Sequence, residues 1–188
     1  MKKLVLQSLI IALIVFFWQF ISHAAANFHS SSMQYTAQQD TIMSFMQSVG
    51  LKQGEYLIPQ VDPSKPNTSM KDWEQYFGKP WMFVRYYENR SNGMAMSMVR
   101  GFITDWIFGL ILLMFLGVIG PVTLKKSLAI HFGLALMMFI MVPYTNHIWY
   151  PKADIFASLL DCVVPMLIIA LLNAKYWHPI SASNEQSL

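Results

Sequence analysis

Four long apolar runs constrain this chain more than any other feature of its sequence. The first extends from Leu4 to Ile21, and the others cover about Val99 to Ile119, Leu128 to Tyr144 and Ile155 to Leu172. A helix crosses a bilayer with about 20 mainly apolar residues. The third run is short, but the aromatic residues through Tyr150 can complete its crossing. We therefore predict a mainly α membrane protein with four transmembrane helices.

The composition agrees with a membrane protein and argues against a nucleic-acid partner. Of the 188 residues, 55% are apolar and 12% are charged, whereas about a quarter of a soluble domain is charged. The 13 Lys and Arg residues are scattered along the chain without a basic stripe, so we predict no nucleic-acid binding. Cys162 is the only cysteine, which excludes an intrachain disulfide. The predicted surroundings are a lipid bilayer.

The first apolar run allows two interpretations, a cleaved secretory signal or a retained anchor. The basic start at Lys2 and Lys3 and the small residues Ala24 and Ala26 suit a signal peptide. The apolar core, however, exceeds the roughly 15 residues of such a signal. It also ends in Phe-Phe-Trp at 16–18, which is typical of an interfacial aromatic belt. We predict a retained anchor; cleavage, which would leave three spans, is the alternative.

Positively charged residues predict the orientation of the helices. Short loops that carry Lys or Arg favour the cytoplasmic side, whereas long segments cross the membrane largely regardless of charge. With the N-terminus inside, the cytoplasmic side receives five lysines, namely Lys2, Lys3, Lys125, Lys126 and Lys175. The short outer loop then holds only Lys152. Both termini are therefore predicted to be cytoplasmic. The predicted division of the chain is a first transmembrane helix at 1–23, an extracytoplasmic domain at 24–97, a three-helix transmembrane region at 98–175 and a cytoplasmic tail at 176–188.

The segment between the first two spans contains signals for two short helices. Apolar residues at helical spacing indicate an amphipathic helix over 39–50, with Gly50 as its C-terminal cap. Ser69 can cap a second short helix, which Gly78 ends. The prolines within 61–69 predict a turn and loop before that second helix.

The same segment contains two candidate strands. Residues 54–58 are short and apolar-rich, and 81–87 alternate between two faces. We predict antiparallel pairing of Tyr56 and Leu57 with the strand around Phe83 to Arg85. Together with the helices, these strands predict a small mixed α/β extracytoplasmic domain. A domain of this size buries too little surface to be robust alone.

Several short strings carry a resemblance to known sequences. FFWQFISH ends the first helix, GEYLIP and DPSKP follow, and a Trp-Met-Phe-Val strand precedes three clustered helices. This order resembles a group of small bacterial hypothetical membrane proteins with one anchor, an outer segment of this size and three further helices. The resemblance implies a location in a bacterial inner membrane. The group has no named activity, so the resemblance implies no catalytic residues.

Polar residues within the spans are the main candidates for a site. Ionisable side chains are expensive in a membrane and usually face the bundle interior. Asp105 and Asp161 should lie at similar depths below the outer surface, because each follows the start of its helix by a few residues. We predict an outer-leaflet polar cluster, formed by Gln19, His23, Arg100, Asp105 and Asp161. At least one of the two aspartates should hydrogen-bond to a side chain from another helix. The alternative is helix packing without a ligand.

Met94, Met96 and Met98 form the most suggestive local pattern for a metal. Thioethers select Cu(I), and alternate spacing places three sulfurs on one edge of an extended segment. His23, His29 and His147 should all lie on the same outer side of the membrane and could join them. The alternative is that these methionines fill gaps in packing. In a helix, moreover, residues spaced by two do not face together.

A haem site would need a histidine inside the bundle. His131 lies within the third run, but no second histidine is available at its depth. We therefore predict no bis-histidine haem, while a single-histidine site and a hydrogen bond to a neighbouring helix both stay open. We predict no cofactor, with copper and haem as the alternatives.

The sequence contains no nucleophile elbow, HExxH motif or phosphate-binding glycine loop. The predicted function is therefore non-catalytic, as an accessory or interaction subunit of a larger bacterial inner-membrane assembly with protein partners. Those that are exposed among Trp73, Tyr76, Phe77, Trp81 and Tyr86 would supply an aromatic contact surface, and the others must form the core of the outer domain. The alternative is a carrier or sensor that binds a metal such as copper, or a small ligand, in the outer polar cluster.

Overall fold

The computed structural model describes residues 2–62, 64–65, 69–90 and 93–177. The chain divides into two compact units. Unit 1 comprises residues 1–34 and 93–188, and unit 2 comprises residues 35–92. Most of the predicted cytoplasmic tail, and the prolines of the predicted loop at 61–69, lie outside the described residues.

Within its described residues the chain is mainly helical, with one small sheet. Its α-helices are α1 (Lys2–Phe20), α2 (Gln39–Ser48), α3 (Met70–Glu74), α4 (Met94–Ile119), α5 (Leu124–Phe139), α6 (Thr145–Trp149) and α7 (Ile155–Leu172). The strands are β1 (Gly54–Ile58) and β2 (Met82–Tyr86). Three π-helical turns extend α1, α5 and α7 at their C-terminal ends, at Ile21–Ala25, Ile140–Tyr144 and Asn173–Trp177.

Among the described residues, unit 1 contains four helical stretches that are long and apolar enough to cross a membrane. They are Lys2–Ala25, Met94–Ile119, Leu124–Trp149 and Ile155–Trp177. The prediction of four such helices is confirmed. The third stretch is longer than its apolar run because the π turn that contains Pro143 joins α5 to α6.

The core of unit 1 lies where its helices cross. Phe16 near the end of α1 meets Phe102 near the start of α4 at 5.8 Å between ring centroids, so these two helices run antiparallel. α1 also packs against α7, and α7 packs against α5. The central buried residues come from all four helices and are Ile11, Leu112, Leu113, Leu116, Ala135, Met166 and Ile169.

Gly109 allows α1 and α4 to approach closely. A Cβ atom at this position would lie 2.8 Å from the Ser8 carbonyl oxygen and 3.1 Å from the Ile11 Cβ. Small residues at helix interfaces in membranes permit such backbone contact. At the same interface, the Trp106 indole N–H donates to the Ser8 hydroxyl over 2.8 Å. This pairing satisfies two polar groups that a bilayer could not hydrogen-bond.

Unit 2 contains the two short helices that its sequence predicts, but α3 ends at Glu74 rather than at the predicted Phe77. Gly50 follows α2 with φ 69°, and Gly78 follows α3 with φ 74°. The Asp72 carboxylate accepts a hydrogen bond from the Ser69 backbone N–H over 2.7 Å at the start of α3. This bond satisfies the backbone donor at the N-cap position of the helix.

β1 and β2 form an antiparallel pair in which Tyr56 faces Val84 and Leu57 faces Phe83. The predicted strand pairing is therefore confirmed. The guanidinium of Arg85 donates to the Glu55 carboxylate across the pair over 2.7 Å. Both side chains are exposed, so this ion pair contributes little to stability.

Candidate functional site

The backbone at the end of α1 brings two histidines face to face. After the π turn, Asn27 adopts a left-handed conformation with φ 49°, which asparagine tolerates better than most residues. The chain then turns back, and the Phe28 N–H donates to the Ser22 carbonyl over 2.9 Å. As a result the rings of His23 and His29 stack, with centroids 4.0 Å apart and planes at 7°.

His29 lies between two carboxylates from the region where α7 begins. Its Nδ1 lies 2.7 Å from the Asp154 Oδ2, and its Nε2 lies 2.8 Å from the Asp161 Oδ2. The His23 Nε2 lies 3.6 Å from the same Asp161 oxygen. We call these four residues, His23, His29, Asp154 and Asp161, the His–Asp cluster.

The geometry of the His–Asp cluster favours a positive charge on His29. When Asp154 and Asp161 are both ionised they can only accept hydrogen bonds, so both ring nitrogens of His29 then donate and the ring is an imidazolium. Burial by itself lowers the pKa of His29, but the hydrogen bonds and negative charges of Asp154 and Asp161 outweigh burial and raise this pKa above 6.5. Burial raises the pKa of Asp154, but the hydrogen bond from His29 outweighs it, and the net pKa is lowered.

A hydrogen bond from α1 fixes one side of the cluster, and an open cavity lies on another side. The Trp18 indole N–H of α1 donates to the Asp161 Oδ1 over 3.0 Å. This hydrogen bond fixes the position of the Asp161 carboxylate. The His29 side chain is only 12% exposed, whereas that of His23 is 56% exposed. An open cavity of about 720 Å³ adjoins the cluster. Besides the cluster, its walls are formed by Ser31, Ser32, Met33, Pro143, Pro151, Lys152, Ala153, Ser158 and Cys162.

The residues of the predicted polar cluster do not form one group in the structure. Asp161 and His23 belong to the His–Asp cluster, whereas the Gln19 amide donates to the Asp105 Oδ1 over 3.3 Å between α1 and α4. Arg100 is exposed, and no hydrogen bond or ion pair of its guanidinium joins it to either place within the described residues. Both aspartates hydrogen-bond to a side chain of another helix, as expected from the sequence.

The methionines of the predicted metal pattern lie at the start of α4. Met94, Met96 and Met98 lie in the first turns of α4 and are all exposed, so their spacing by two does not place the sulfurs on one face. His147 accepts a hydrogen bond at its Nδ1 from the Lys152 backbone N–H. Of the three histidines that the sequence suggested as metal ligands, His23 and His29 belong to the cluster and His147 does not.

His131 is fully buried between α5 and α7. Its Nδ1 contacts the Ser127 carbonyl at 2.8 Å, and the Ser127 hydroxyl donates to the Ala170 carbonyl over 2.8 Å. The Asn173 amide donates to the same hydroxyl over 3.3 Å. These bonds join the start of α5 to the end of α7. The His131 Nε2 has no hydrogen-bond partner among the described residues.

Two residues at the His–Asp cluster, Asp154 and Trp18, were not predicted from the sequence. Asp154 precedes α7 in the chain, where an aspartate suggests only a helix cap, and Trp18 suggests only an interfacial aromatic residue. The one signal that could have helped is an asparagine two residues before His29, because Asn favours a left-handed turn. That turn would return His29 toward His23.

The His–Asp cluster can hold a cation between its carboxylates and imidazoles. The proton on His29 is one such cation, and His23, His29 and Asp161 also present three potential metal-ligand atoms within 4.8 Å of one another. Comparison of the chain with protein families, with curated proteins and with solved structures finds no match.

Proposed function

We propose that this protein is a non-catalytic accessory or interaction subunit of a membrane assembly in a bacterial inner membrane. In this proposal, unit 1 is anchored in the bilayer by four helices. Unit 2 lies on the extracytoplasmic side and contacts a partner protein. The resemblance to small bacterial membrane proteins supports the location, and the surface of unit 2 supports the role.

The observation that carries this proposal is the small apolar interior of unit 2. Among its described residues, only one apolar side chain is fully buried, that of Tyr86 at 5% exposure. Phe77 is 65% exposed and Trp81 is 52% exposed, and Phe45 and Met70 are also exposed. Large apolar side chains that remain in contact with water are typical of interaction surfaces. A partner that covers them would supply the burial that so small a unit lacks.

Not every residue of the predicted aromatic surface is available for contact. Phe77 and Trp81 are exposed, and Trp73 and Tyr76 are half-buried. Tyr86 is buried and serves the interior of unit 2. The proposed contact surface therefore centres on Phe77 and Trp81.

The lysine distribution and the packing of α1 support the proposed orientation and the retained anchor. Lys2, Lys125 and Lys175 lie at the same end of unit 1, opposite the His–Asp cluster, because the helices alternate in direction. Cleavage after Ala26 would remove Ile11 from the core and Trp18 from its bond to Asp161. Intact mass of the purified protein tests this directly, since retention requires residues 1–26 to be present.

Site-specific photocross-linking in intact cells tests the interaction. A photoreactive residue at Phe77 or Trp81 should give one defined protein adduct, and the same probe at the exposed polar Gln53 should not. The double variant Phe77→Ser, Trp81→Ser should lose co-purification of that adduct's protein in mild detergent while keeping its own yield. Equal adducts at all three positions, or adducts with lipid alone, would contradict the proposal.

Thiol labelling tests the orientation separately. In a Cys162→Ser background, an impermeant reagent applied to intact inner-membrane spheroplasts should label Gln53→Cys and spare Lys125→Cys. The reverse pattern would contradict the proposed orientation, whatever the cross-linking result.

A second candidate function is a carrier or sensor for a metal ion or small ligand. The specific observation that favours it is the open cavity beside the His–Asp cluster, where His29 lies between two carboxylates. The Asp161→Asn variant should keep expression and folding in either case and lose function only if this candidate is correct.

A further inference from the structure

We propose that the His–Asp cluster binds one divalent transition ion of the Zn²⁺ class, with His23, His29 and Asp161 as ligands and Asp154 as the orienting partner of His29. This inference deepens the second candidate function by naming the ligand class. It does not depend on the proposed interaction of unit 2. The zinc site and the protein interaction are tested independently, because zinc binds to unit 1 and cross-linking at Phe77 reports on unit 2.

The ligand atoms of His23, His29 and Asp161 lie within 4.8 Å of one another, and binding of one ion requires the two stacked histidine rings to rotate out of their parallel arrangement. Tetrahedral zinc with bonds of about 2.0–2.1 Å requires ligand atoms about 3.3 Å apart. The His23 Nε2 and the Asp161 Oδ2 are 3.6 Å apart, which is close to this spacing. The His29 Nε2 and the same oxygen are 2.8 Å apart and must open by about half an ångström, which side-chain rotation supplies.

Asp154 accepts a hydrogen bond from His29 in the way that is typical of metal-binding histidines. A metal-bound histidine usually donates its second ring N–H to a carboxylate, which fixes the tautomer and the ring orientation. The Asp154 Oδ2 occupies this position at 2.7 Å from the His29 Nδ1. If His29 donates from Nδ1 to Asp154, its unprotonated Nε2 is an acceptor and faces the Asp161 Oδ2, which is also an acceptor, at 2.8 Å. A cation bound by both atoms would remove the repulsion between them.

The remaining coordination positions are open to solvent. His23 is more than half exposed, and the cavity reaches the cluster from the same side. Three protein ligands with a fourth position for water are typical of zinc sites that exchange or process a ligand, whereas structural zinc sites are closed by four protein ligands. An exchangeable ion suits a carrier or sensor.

The donor set selects the class of ion. Imidazole nitrogen and carboxylate oxygen suit Zn²⁺ and related divalent ions, whereas Cu(I) prefers thiolate and thioether sulfur. Cys162 lines the cavity, but among the described residues it does not belong to the group of ligand atoms within 4.8 Å of one another. The geometry therefore favours a nitrogen and oxygen site over the copper site suggested by Met94, Met96 and Met98.

The test is a zinc titration of the full chain in detergent after removal of metals with a chelator. Isothermal calorimetry should show one Zn²⁺ per chain. His23→Gln and Asp161→Asn should each weaken binding at least tenfold, and Asp154→Asn should weaken it roughly tenfold to a hundredfold as an orienting residue. His147→Gln is the matched control, since His147 lies at the same end of unit 1 but outside the cluster, and it should leave the affinity unchanged.

X-ray absorption identifies the ligands of the bound ion. Bond lengths of about 2.0–2.1 Å indicate nitrogen and oxygen, whereas a zinc–sulfur shell at about 2.3 Å would place the ion on cysteine and overturn the assignment. His23→Gln changes an exposed side chain, so its thermal unfolding without metal should match that of the wild type. If wild-type protein binds no zinc, the proton is the only cation of the cluster and the proposal is wrong. It is equally wrong if all variants bind as tightly as the wild type.

Discussion

Replacing Gly109 by alanine tests how closely α1 and α4 must approach. The added Cβ would lie 2.8 Å from the Ser8 carbonyl oxygen, where ordinary contact begins at 3.4 Å. A backbone oxygen cannot rotate away, and the Ile11 Cβ is already 3.1 Å distant on another side. The two helices must therefore separate by roughly 0.6 Å, which weakens the contacts between their side chains.

The magnitude follows from two opposing effects. Alanine is a better helix former than glycine by about 1 kcal/mol in a helix interior. Overpacking of a tight interface costs about 1–3 kcal/mol. Gly117→Ala is the matched control, because it lies on the same helix and its added Cβ would meet nothing within 4 Å. The difference between the two variants removes the propensity effect, so Gly109→Ala should be less stable than Gly117→Ala by about 1–3 kcal/mol.

Unfolding in mixed micelles, followed by tryptophan fluorescence, measures this difference. Trp106 hydrogen-bonds to Ser8 at the affected interface, so its environment reports on the separation of α1 from α4. The wild type should be less stable than the control by about 1 kcal/mol, so it should unfold between the two variants or close to Gly109→Ala. If Gly109→Ala proves as stable as Gly117→Ala, the close approach of α1 and α4 at this glycine is not a determinant of the bundle.

Three further outcomes are expected. Asn27→Gly should keep the stability of the wild type, whereas Asn27→Val should lose about 1–3 kcal/mol in thermal unfolding, because a β-branched residue resists the left-handed conformation; equal stability would contradict the role of this turn. The hydrogen bond from the Ser69 backbone lowers the pKa of Asp72 below 3.8, so the support it gives to α3 should persist as pH falls to 3.8 and disappear through the lower folded value. A carboxyl ¹³C titration by NMR checks this, and a midpoint at or above 3.8 would be inconsistent with the cap. Asp105→Asn should unfold at the same temperature as the wild type or higher, because the amide oxygen can still accept from Gln19 and no charge is buried; a marked loss of stability would show that the charge itself is needed.

The elements that the sequence predicts well are those that depend on local pattern. The four helices follow from apolar runs of sufficient length, and the pairing of Tyr56 with Val84 follows from two short strands bounded by Gly and Pro. Depth along a helix was also predictable, since Asp161 and His23 do meet near one end of the bundle. Rotation about the helix axis was not predictable, and for this reason the sequence does not show that Arg100 is exposed.

The centre of the candidate site depends on contacts that no local pattern contains. Asp154 and His29 are separated by 125 positions in the sequence, and their contact requires α1 and α7 to pack side by side. It also requires the chain to reverse at Asn27, a conformation that most residues avoid. Each condition is set by tertiary structure, so a list of histidines and aspartates could not distinguish this set from others.

The π-helical turn at Ile21–Ala25 lies between the packed part of α1, which contains Ile11, and the segment that carries His29. A π turn closes its hydrogen bonds over one more residue than an α turn. Deleting one residue there would restore the α-helical ladder and rotate the following residues by about 100°. His29 would be redirected, while the register between Ile11 and Gly109 would stay as it is. During evolution, the gain or loss of a single codon at this point could therefore re-aim the histidine without any change in how the bundle is packed.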